Sequence, residues 1–198
     1  MTYISDILFW ISNGLLVPVV VLLILLFVRS LVLIGNFFGQ YMQIRKTDKV
    51  FTDRIAPLTS ENVGELRASL PEKSRSPLIM SLISLLENRD DRARRQLLLS
   101  DYEVAADKDL AVSKTLSKMG PMLGLMGTLI PMGPALVGLS TGDISSMAYN
   151  MQVAFATTVV GLFSAAIGFI TQQVKQRWYL QDLNRLEFVS ELLDSSRK

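Results

Sequence analysis

The stretches GPMLGLMGTLIPMGPAL (residues 120–136) and AFATTVVGLFSAAIGFI (residues 154–170) decide the fold of this chain. Both are long and apolar, and both carry glycine and threonine at their centres without a carboxylate, an amine or an imidazole. Because about 20 helical residues cross the hydrocarbon of a bilayer, each stretch is expected to form a membrane span. A polar but uncharged pair of spans suits a structure that handles ions and receives the titrating group from elsewhere.

The composition agrees with a membrane protein. Apolar residues make up 49% of the 198 residues, and the mean hydropathy is +0.34. The chain has no cysteine, which excludes a disulfide framework and a thiolate zinc site. It also has no histidine, the commonest metal ligand and the commonest proton carrier at neutral pH. We therefore expect no metal and no cofactor, and no residue pattern indicates an enzyme.

A third apolar run lies near the N-terminus, within residues 7–38. It exceeds one bilayer thickness, so we place the span at residues 8–28 and expect residues 31–38 to continue as a helix through the interface. Arg29 then lies at the boundary, where its side chain can extend to water. The alternative span, residues 15–37, would bury Arg29. No basic residue precedes the run, which indicates an uncleaved anchor and not a signal peptide.

Lysine and arginine are distributed unevenly. Residues 1–28 and 137–146 hold none, whereas residues 39–118 hold 14 and residues 175–198 hold 5. The positive-inside rule then predicts a protein of the cytoplasmic (inner) membrane with its N-terminus outside and its C-terminus inside. The predicted order is an outside segment with the first span (1–38), a cytoplasmic helical domain (39–118), the second span (119–139), an outer turn (140–146), the third span (147–174) and a cytoplasmic C-terminal helix (175–198).

The predicted fold class is therefore an all-α membrane protein. It has three transmembrane helices and a helical cytoplasmic domain formed by the loop between the first two spans and the C-terminal tail. Ser76 and Pro77 resemble a helix start and predict a helix over residues 78–87. A second helix is expected to begin near Asn88 or Asp90 and to run into the second span without a break. The charged run at residues 89–95 is interpreted as a solvated helix face and not as a nucleic-acid site.

Small residues recur at spacings of three and four along the second and third spans. Such faces let helix backbones approach closely. One interpretation is that they only hold a helix hairpin together. The other is that they cannot all be satisfied within one three-helix chain, which predicts a homo-oligomer. The predicted packing positions are Gly120, Gly124, Ala154, Gly161 and Ala165, and the same faces carry Gly127, Thr128, Pro131, Ala135, Gly138, Thr158 and Gly168.

Thr128 and Thr158 are the candidate ion-path residues, because each lies on the small face of its span and the two hydroxyls are predicted to meet at mid-membrane. Pro131 has no amide hydrogen, so the carbonyl of Gly127 loses its usual partner. That carbonyl makes either an acceptor-rich patch with Thr128 or a simple kink. Between residues 119 and 174 the only carboxylate is Asp143, in the outer turn. An ion path through these spans therefore needs an acid from a partner.

Two motifs resemble the MotA/TolQ/ExbB proton-channel family. Residues 120–128, GPMLGLMGT, are similar to its second-span motif, A-P-L-L-G-L-L-G-T. Residues 154–162, AFATTVVGL, are similar to its third-span motif, A-L-x-x-T-x-x-G-L. Motif matching places Thr128 and Thr158 on the family's pore threonines.

The resemblance also implies an assembly. It implies a pentameric ring around a single-span partner of the MotB, TolR or ExbD type, whose membrane aspartate carries H⁺ or Na⁺. Ion flow would be coupled to movement of the ring relative to that partner. The alternative function is a non-conducting membrane scaffold that only docks a single-span partner.

Overall fold

The computed structural model describes residues 2–55, 67 and 76–195, and every secondary-structure element in these ranges is a helix. The helices are α1 (Thr2–Gly14), α2 (Leu16–Ile55), α3 (Pro77–Glu87), α4 (Arg92–Thr141) and α5 (Ile144–Ser195). Three helical stretches are long and apolar enough to cross a membrane: Ile7–Met42, Arg92–Thr141 and Ile144–Ser195. The predictions of an all-α chain and of three apolar spans are confirmed. Part of the predicted 39–118 domain, residues 56–66 and 68–75, lies outside the described residues.

The predicted helix start at Ser76 and Pro77 is confirmed, and the second helix begins at Arg92, two residues after Asp90. Helix α3 begins at Pro77, where proline fits because the first helical amide needs no partner within the helix. Helix α4 begins at Arg92 and continues to Thr141 as one element of 50 residues. It contains three prolines, Pro121, Pro131 and Pro134.

The first apolar run differs from its prediction because it is two helices. Helix α1 ends at Gly14, and α2 begins at Leu16. Pro18 explains the break, since it has no amide hydrogen to donate to the carbonyl of Gly14 and its ring clashes with that turn. The Val19 amide restores the pattern by donating to the carbonyl of Leu15 over 3.1 Å. The predicted span over residues 8–28 did not anticipate this joint.

The chain divides into two compact units, and the first consists of residues 1–37 and 112–172. In this unit α2 packs against both α4 and α5. Toward α4, the buried residues Val19 and Leu23 cluster with Leu123 and Ile130. Toward α5, the ring centroids of Phe27 and Phe163 are 6.0 Å apart, and a further buried cluster joins Leu33, Leu116 and Ile167.

A tight turn joins α4 to α5 in the same unit. Gly142 has φ of 76°, in the left-handed region that favours glycine. The Asp143 carboxylate accepts a hydrogen bond from the Ser146 amide over 3.0 Å, so Asp143 caps the start of α5. Asp143, the only carboxylate between residues 119 and 174, therefore has a structural role as a helix cap.

The second unit consists of residues 38–111 and 173–198. Its core joins α3 to the last turns of α5 through Leu82, Leu85, Leu186 and Val189, which are at most 1% exposed. Arg95 is fully buried beside this core. Its guanidinium donates to the Ser190 hydroxyl over 3.2 Å, to the carbonyl of Arg89 and to the Asp194 carboxylate. These bonds compensate the burial of its charge.

A polar cluster joins α4 to α5 in the second unit. The Asp109 carboxylate accepts from Lys175 Nζ over 2.8 Å and from the Tyr179 hydroxyl over 2.7 Å. Burial by itself would raise the pKa of the Asp109 carboxyl, but the bonds from Lys175 and Tyr179 and the charge of Lys175 together lower it below its ordinary value. The Lys175 side chain is only 3% exposed, and the ion pair with Asp109 compensates the burial of its charge.

Candidate functional site

The small residues of α4 and α5 pack directly against one another within a single chain. A methyl group at Gly161 would lie 2.7 Å from the Gly120 carbonyl oxygen and 2.9 Å from the Gly124 Cα. A methyl group at Gly120 would lie 3.0 Å from the Ala165 Cβ. Gly120, Gly124, Ala154, Gly161 and Ala165 are all buried. We call this contact the glycine seam, and it extends to Gly168, which lies against Leu116, Ser117 and Ser113.

The glycine seam corrects one step of the sequence argument. We expected that the small faces could not all be satisfied within one three-helix chain and therefore required further copies. Instead, the faces of α4 and α5 satisfy each other. The reason is that both faces have the same spacing of three and four, so the two helices of one hairpin can bring them into register. The small residues are therefore no argument for a ring, and the ring stays a prediction from the family resemblance.

The threonine that enters the seam is Thr157, which the sequence analysis assigned no packing role. A methyl group at Gly127 would lie 2.6 Å from its Cβ and Oγ1. Its hydroxyl donates to the carbonyls of Val153 and Ala154 in its own helix. A sequence signal for the packing existed, since Thr157 lies four residues before Gly161 and continues that face.

Thr128 and Thr158 lie at the edge of the seam, and both are half-buried. On α4, Thr128 is rotated about 40° from Gly124, which contacts α5, and about 140° from Leu123, which contacts α2. On α5, Thr158 is rotated about 60° from Gly161 and about 140° from Phe163, whose ring contacts α2. Both threonines therefore face the side of the α4–α5 pair that α2 does not cover.

The hydroxyls of these two threonines do not bond to each other among the described contacts. Thr128 donates to the Leu125 carbonyl over 2.7 Å, and Thr158 donates to the Ala154 carbonyl over 3.1 Å. Each hydroxyl proton is thereby directed into its own helix, which leaves the oxygen lone pairs as acceptors. An acceptor of this kind can receive a hydrogen bond from water or from a protonated acid, and it can coordinate a cation. The two hydroxyls are therefore acceptors on one face, and their meeting at mid-membrane stays a prediction.

Gly127 and Pro131 lie in the buried part of α4. Pro131 is fully buried, and Gly127 is buried against Thr157. The helix continues through Pro131 to Thr141. Both residues lie against protein, about 100° and 60° around α4 from Thr128, and their part in an ion path stays a prediction.

The site carries no charged ion-binding group of its own. Apart from Asp143, which caps α5, no acidic or basic residue lies between residues 119 and 174. Among the described residues no group of three or more acidic side chains has the arrangement of a metal site. The arrangement can therefore supply neutral acceptors along a face, and a charged carrier has to come from another chain.

Comparison with known proteins agrees with the two motifs. The sequence model of the MotA/TolQ/ExbB proton channel family matches residues 76–187. The matched segment is more than half of the chain and contains α3, all of α4 and the part of α5 with the glycine seam and both edge threonines. The comparison with curated proteins found no match. The chain is a member of the MotA/TolQ/ExbB proton channel family, and it is a membrane protein with a channel role.

Proposed function

We propose that this chain is the ring-forming subunit of a proton-driven or sodium-driven membrane motor or energy-transducing channel. It works with a single-span partner of the MotB, TolR or ExbD type and couples ion flow to movement of the ring relative to that partner. The lysine and arginine distribution supports a place in the cytoplasmic membrane with the N-terminus outside. The second unit, which contains most of the basic residues, then forms the cytoplasmic domain.

The observation that carries this proposal is the placement of Thr128 and Thr158. Two half-buried hydroxyl oxygens with acceptor capacity lie on the one side of the α4–α5 pair that α2 leaves uncovered. Their surroundings on that side are apolar, with Leu125 and Phe155 60% and 65% exposed. Because each hydroxyl already donates within its own helix, what it presents on this apolar face is an acceptor that water, an ion or a polar partner can use.

The partner supplies what this chain lacks. A proton or a cation crosses hydrocarbon at a group that binds it reversibly, and a membrane carboxylate is the usual choice. A neutral carboxylic acid can donate to the Thr128 or Thr158 oxygen, and the carboxylate can release its ion where water enters. A ring of five copies, as the family resemblance implies, would present this threonine face to a central partner helix from every side.

The test is ion flux into lipid vesicles. The chain is reconstituted with its single-span partner, and a parallel sample contains the partner with its membrane aspartate changed to asparagine. We expect flux from the first sample and background flux from the second. The chain alone should also stay near background, because its spans hold no titrating side chain. A strong leak from the chain alone would contradict the proposal.

The glycine seam gives the alternative function a specific basis. A hairpin whose small faces satisfy each other is a rigid surface on which a partner helix could dock without ion flow. The vesicle experiment separates the two functions. A complex that forms with the partner but shows no flux dependent on the partner's aspartate would favour the non-conducting scaffold.

A further inference from the structure

Helix α1 leaves a wide apolar surface uncovered. Six large side chains on it are 55–83% exposed. At about 100° per residue they fall within about 160° of the helix circumference. We call this surface the α1 apolar face, and it consists of Tyr3, Ile4, Ile7, Leu8, Trp10 and Ile11.

The opposite side of α1 contacts the chain. The ring of Phe9 lies 3.5 Å from the position of a Cβ on Gly133 of α4. Helix α4 continues for eight residues beyond Gly133 to Thr141, which is about 12 Å at 1.5 Å per residue. Helix α1 therefore lies beside the last turns of α4 and not beyond the end of that helix.

The first apolar run is too long for one crossing. Residues 3–38 as one straight helix would measure about 54 Å, whereas the hydrocarbon is about 30 Å thick. Helix α2 alone provides a crossing of about 20 residues from Leu16 to Gly35. The break at Leu15 separates α1 from this crossing, so α1 is free to take another direction.

The two exposed aromatic residues indicate which direction that is. Tyr3 and Trp10 are seven residues apart, so they lie on the same edge of the α1 apolar face. Tyrosine and tryptophan favour the level of the lipid headgroups. Both can lie at that level only if the axis of α1 runs along the membrane plane, because a helix along the membrane normal would separate them by about 10 Å in depth.

We propose that α1 is an interfacial anchor that lies in the leaflet on the side of the Gly142 turn. Its apolar face contacts lipid acyl chains, and its aromatic edge lies at the headgroups. Lipid is the occupant because the face is continuous with exposed apolar residues of α2, Val17 and Val21, along the candidate span. Residues 1–28 hold no lysine or arginine, so the contact is apolar and not an attraction to anionic headgroups. The first crossing is then the alternative span, residues 15–37, in which Arg29 lies about 12 Å from the inner end and its side chain extends toward the interface.

Depth measurements on single cysteines test this proposal, and the chain has no native cysteine to remove. Nitroxide labels are placed at Ile4→Cys and Ile11→Cys in α1, and at Val17→Cys and Ile24→Cys in α2 as the matched pair. All four positions are exposed, and each pair is separated by seven residues. Label depth in lipid vesicles follows from the ratio of collisions with oxygen and with a water-soluble nickel chelate.

We expect the two α1 labels to differ in depth by less than about 4 Å and the two α2 labels to differ by about 10 Å. A difference of about 10 Å in both pairs would overturn the proposal, because α1 would then continue the span. Labels of α1 that collide mainly with the nickel chelate would place the helix in water and also overturn it. Labels shielded from both reagents would mean that protein, such as a second copy, covers the face, and this would also overturn lipid as the occupant. Wild-type helix content confirms that each variant has folded.

A second measurement avoids labels on α1. Trp178→Phe leaves Trp10 as the single tryptophan of the chain. Lipids brominated near the headgroup should quench its fluorescence more strongly than lipids brominated near the acyl-chain ends. The reverse order would contradict an aromatic edge at headgroup level.

Discussion

The chemistry of the site depends on where single hydroxyl protons point. Thr128, Thr157 and Thr158 all donate to carbonyls of their own helices, so their donor capacity is used. What distinguishes them is exposure, since Thr157 is 8% exposed and the other two are half-buried. Only a hydroxyl at the edge of the seam has acceptor lone pairs within reach of a molecule outside the chain.

Thr158→Val is expected to reduce partner-dependent ion flux strongly while membrane insertion and assembly stay intact. Valine has nearly the shape of threonine but no oxygen to accept a hydrogen bond. A partner acid whose O–H donor is left without an acceptor in the membrane loses about 1–3 kcal/mol, which corresponds to roughly a 5-fold to 150-fold loss of rate. Thr128→Val should have the same effect or a smaller one. Flux is measured in vesicles with the partner present.

Thr157→Val is the matched control for these two variants, because Thr157 lies next to Thr158 but faces Gly127. It removes a hydroxyl that bonds only its own helix, so its effect on flux should be milder. Full flux from Thr158→Val together with lost flux from Thr157→Val would show that the assignment of the pore face is wrong by one residue.

The glycine seam makes a second prediction at the residue scale. Gly161→Ala should destabilise the hairpin by about 1–3 kcal/mol, because the new methyl would meet backbone atoms at 2.7 Å and 2.9 Å that cannot move aside. Gly124→Ala is the control, since its nearest neighbours are at 3.6 Å, an ordinary contact distance. Thermal unfolding in detergent should show a lower midpoint for Gly161→Ala only. Equal midpoints for the two variants would contradict the seam.

At the scale of the helix, the sequence predicted where helices begin and which segments are apolar spans better than it predicted where a helix breaks. The long apolar periodicity of α4 and α5 and the Ser76–Pro77 start are local signals, and the helices follow them. The break at Leu15 was missed because apolar residues continue through it. Pro18 removes one backbone bond there, whereas Pro131 in the middle of α4 leaves the helix continuous. Proline therefore does not decide by itself where a membrane helix breaks.

The sequence also could not predict which surface each small-residue face packs against. Spacings of three and four mark Gly120, Gly124 and Gly161 as one kind of surface, but they do not say whether the partner is in the same chain. The contact distances decide this for the seam. The polar cluster around Asp109 was also unpredicted, because Asp109 and Lys175 are 66 residues apart.

That cluster gives a prediction about pH. The lowered pKa of Asp109 means that its ionised form stabilises the folded state above the ordinary pKa of a carboxyl group, about 4. This contribution is lost as pH falls through the lower value of the folded state. Asp109→Asn should lower stability near neutral pH by about 1–3 kcal/mol, less than for a fully buried pair because the Asp109 side chain is 38% exposed. Asp109→Asn should also remove the part of the stability loss at low pH that comes from protonation of Asp109.

Lys175→Met in the Asp109→Asn background is the control for this pair. The double variant removes the buried charge together with its counter-ion and should recover part of the lost stability. We compare the unfolding midpoints of the wild type and both variants between about pH 3 and 7. Carboxyl groups titrate at the acidic end of this range. If Asp109→Asn has the same pH profile as the wild type, the ion pair does not stabilise the fold.

At the scale of the whole molecule, the charge distribution makes the remaining prediction. The short turn at residues 137–146 has no basic residue, and residues 39–118 hold 14 of the 20. Translocating a segment against this bias is unfavourable, so the turn should face outward and the second unit should face the cytoplasm. Thr141→Cys in the turn and Asp101→Cys in the second unit are exposed positions of a chain without cysteine. A membrane-impermeant maleimide should label Thr141→Cys in intact cells but Asp101→Cys only after the membrane is opened. The opposite pattern would show that the predicted topology is inverted.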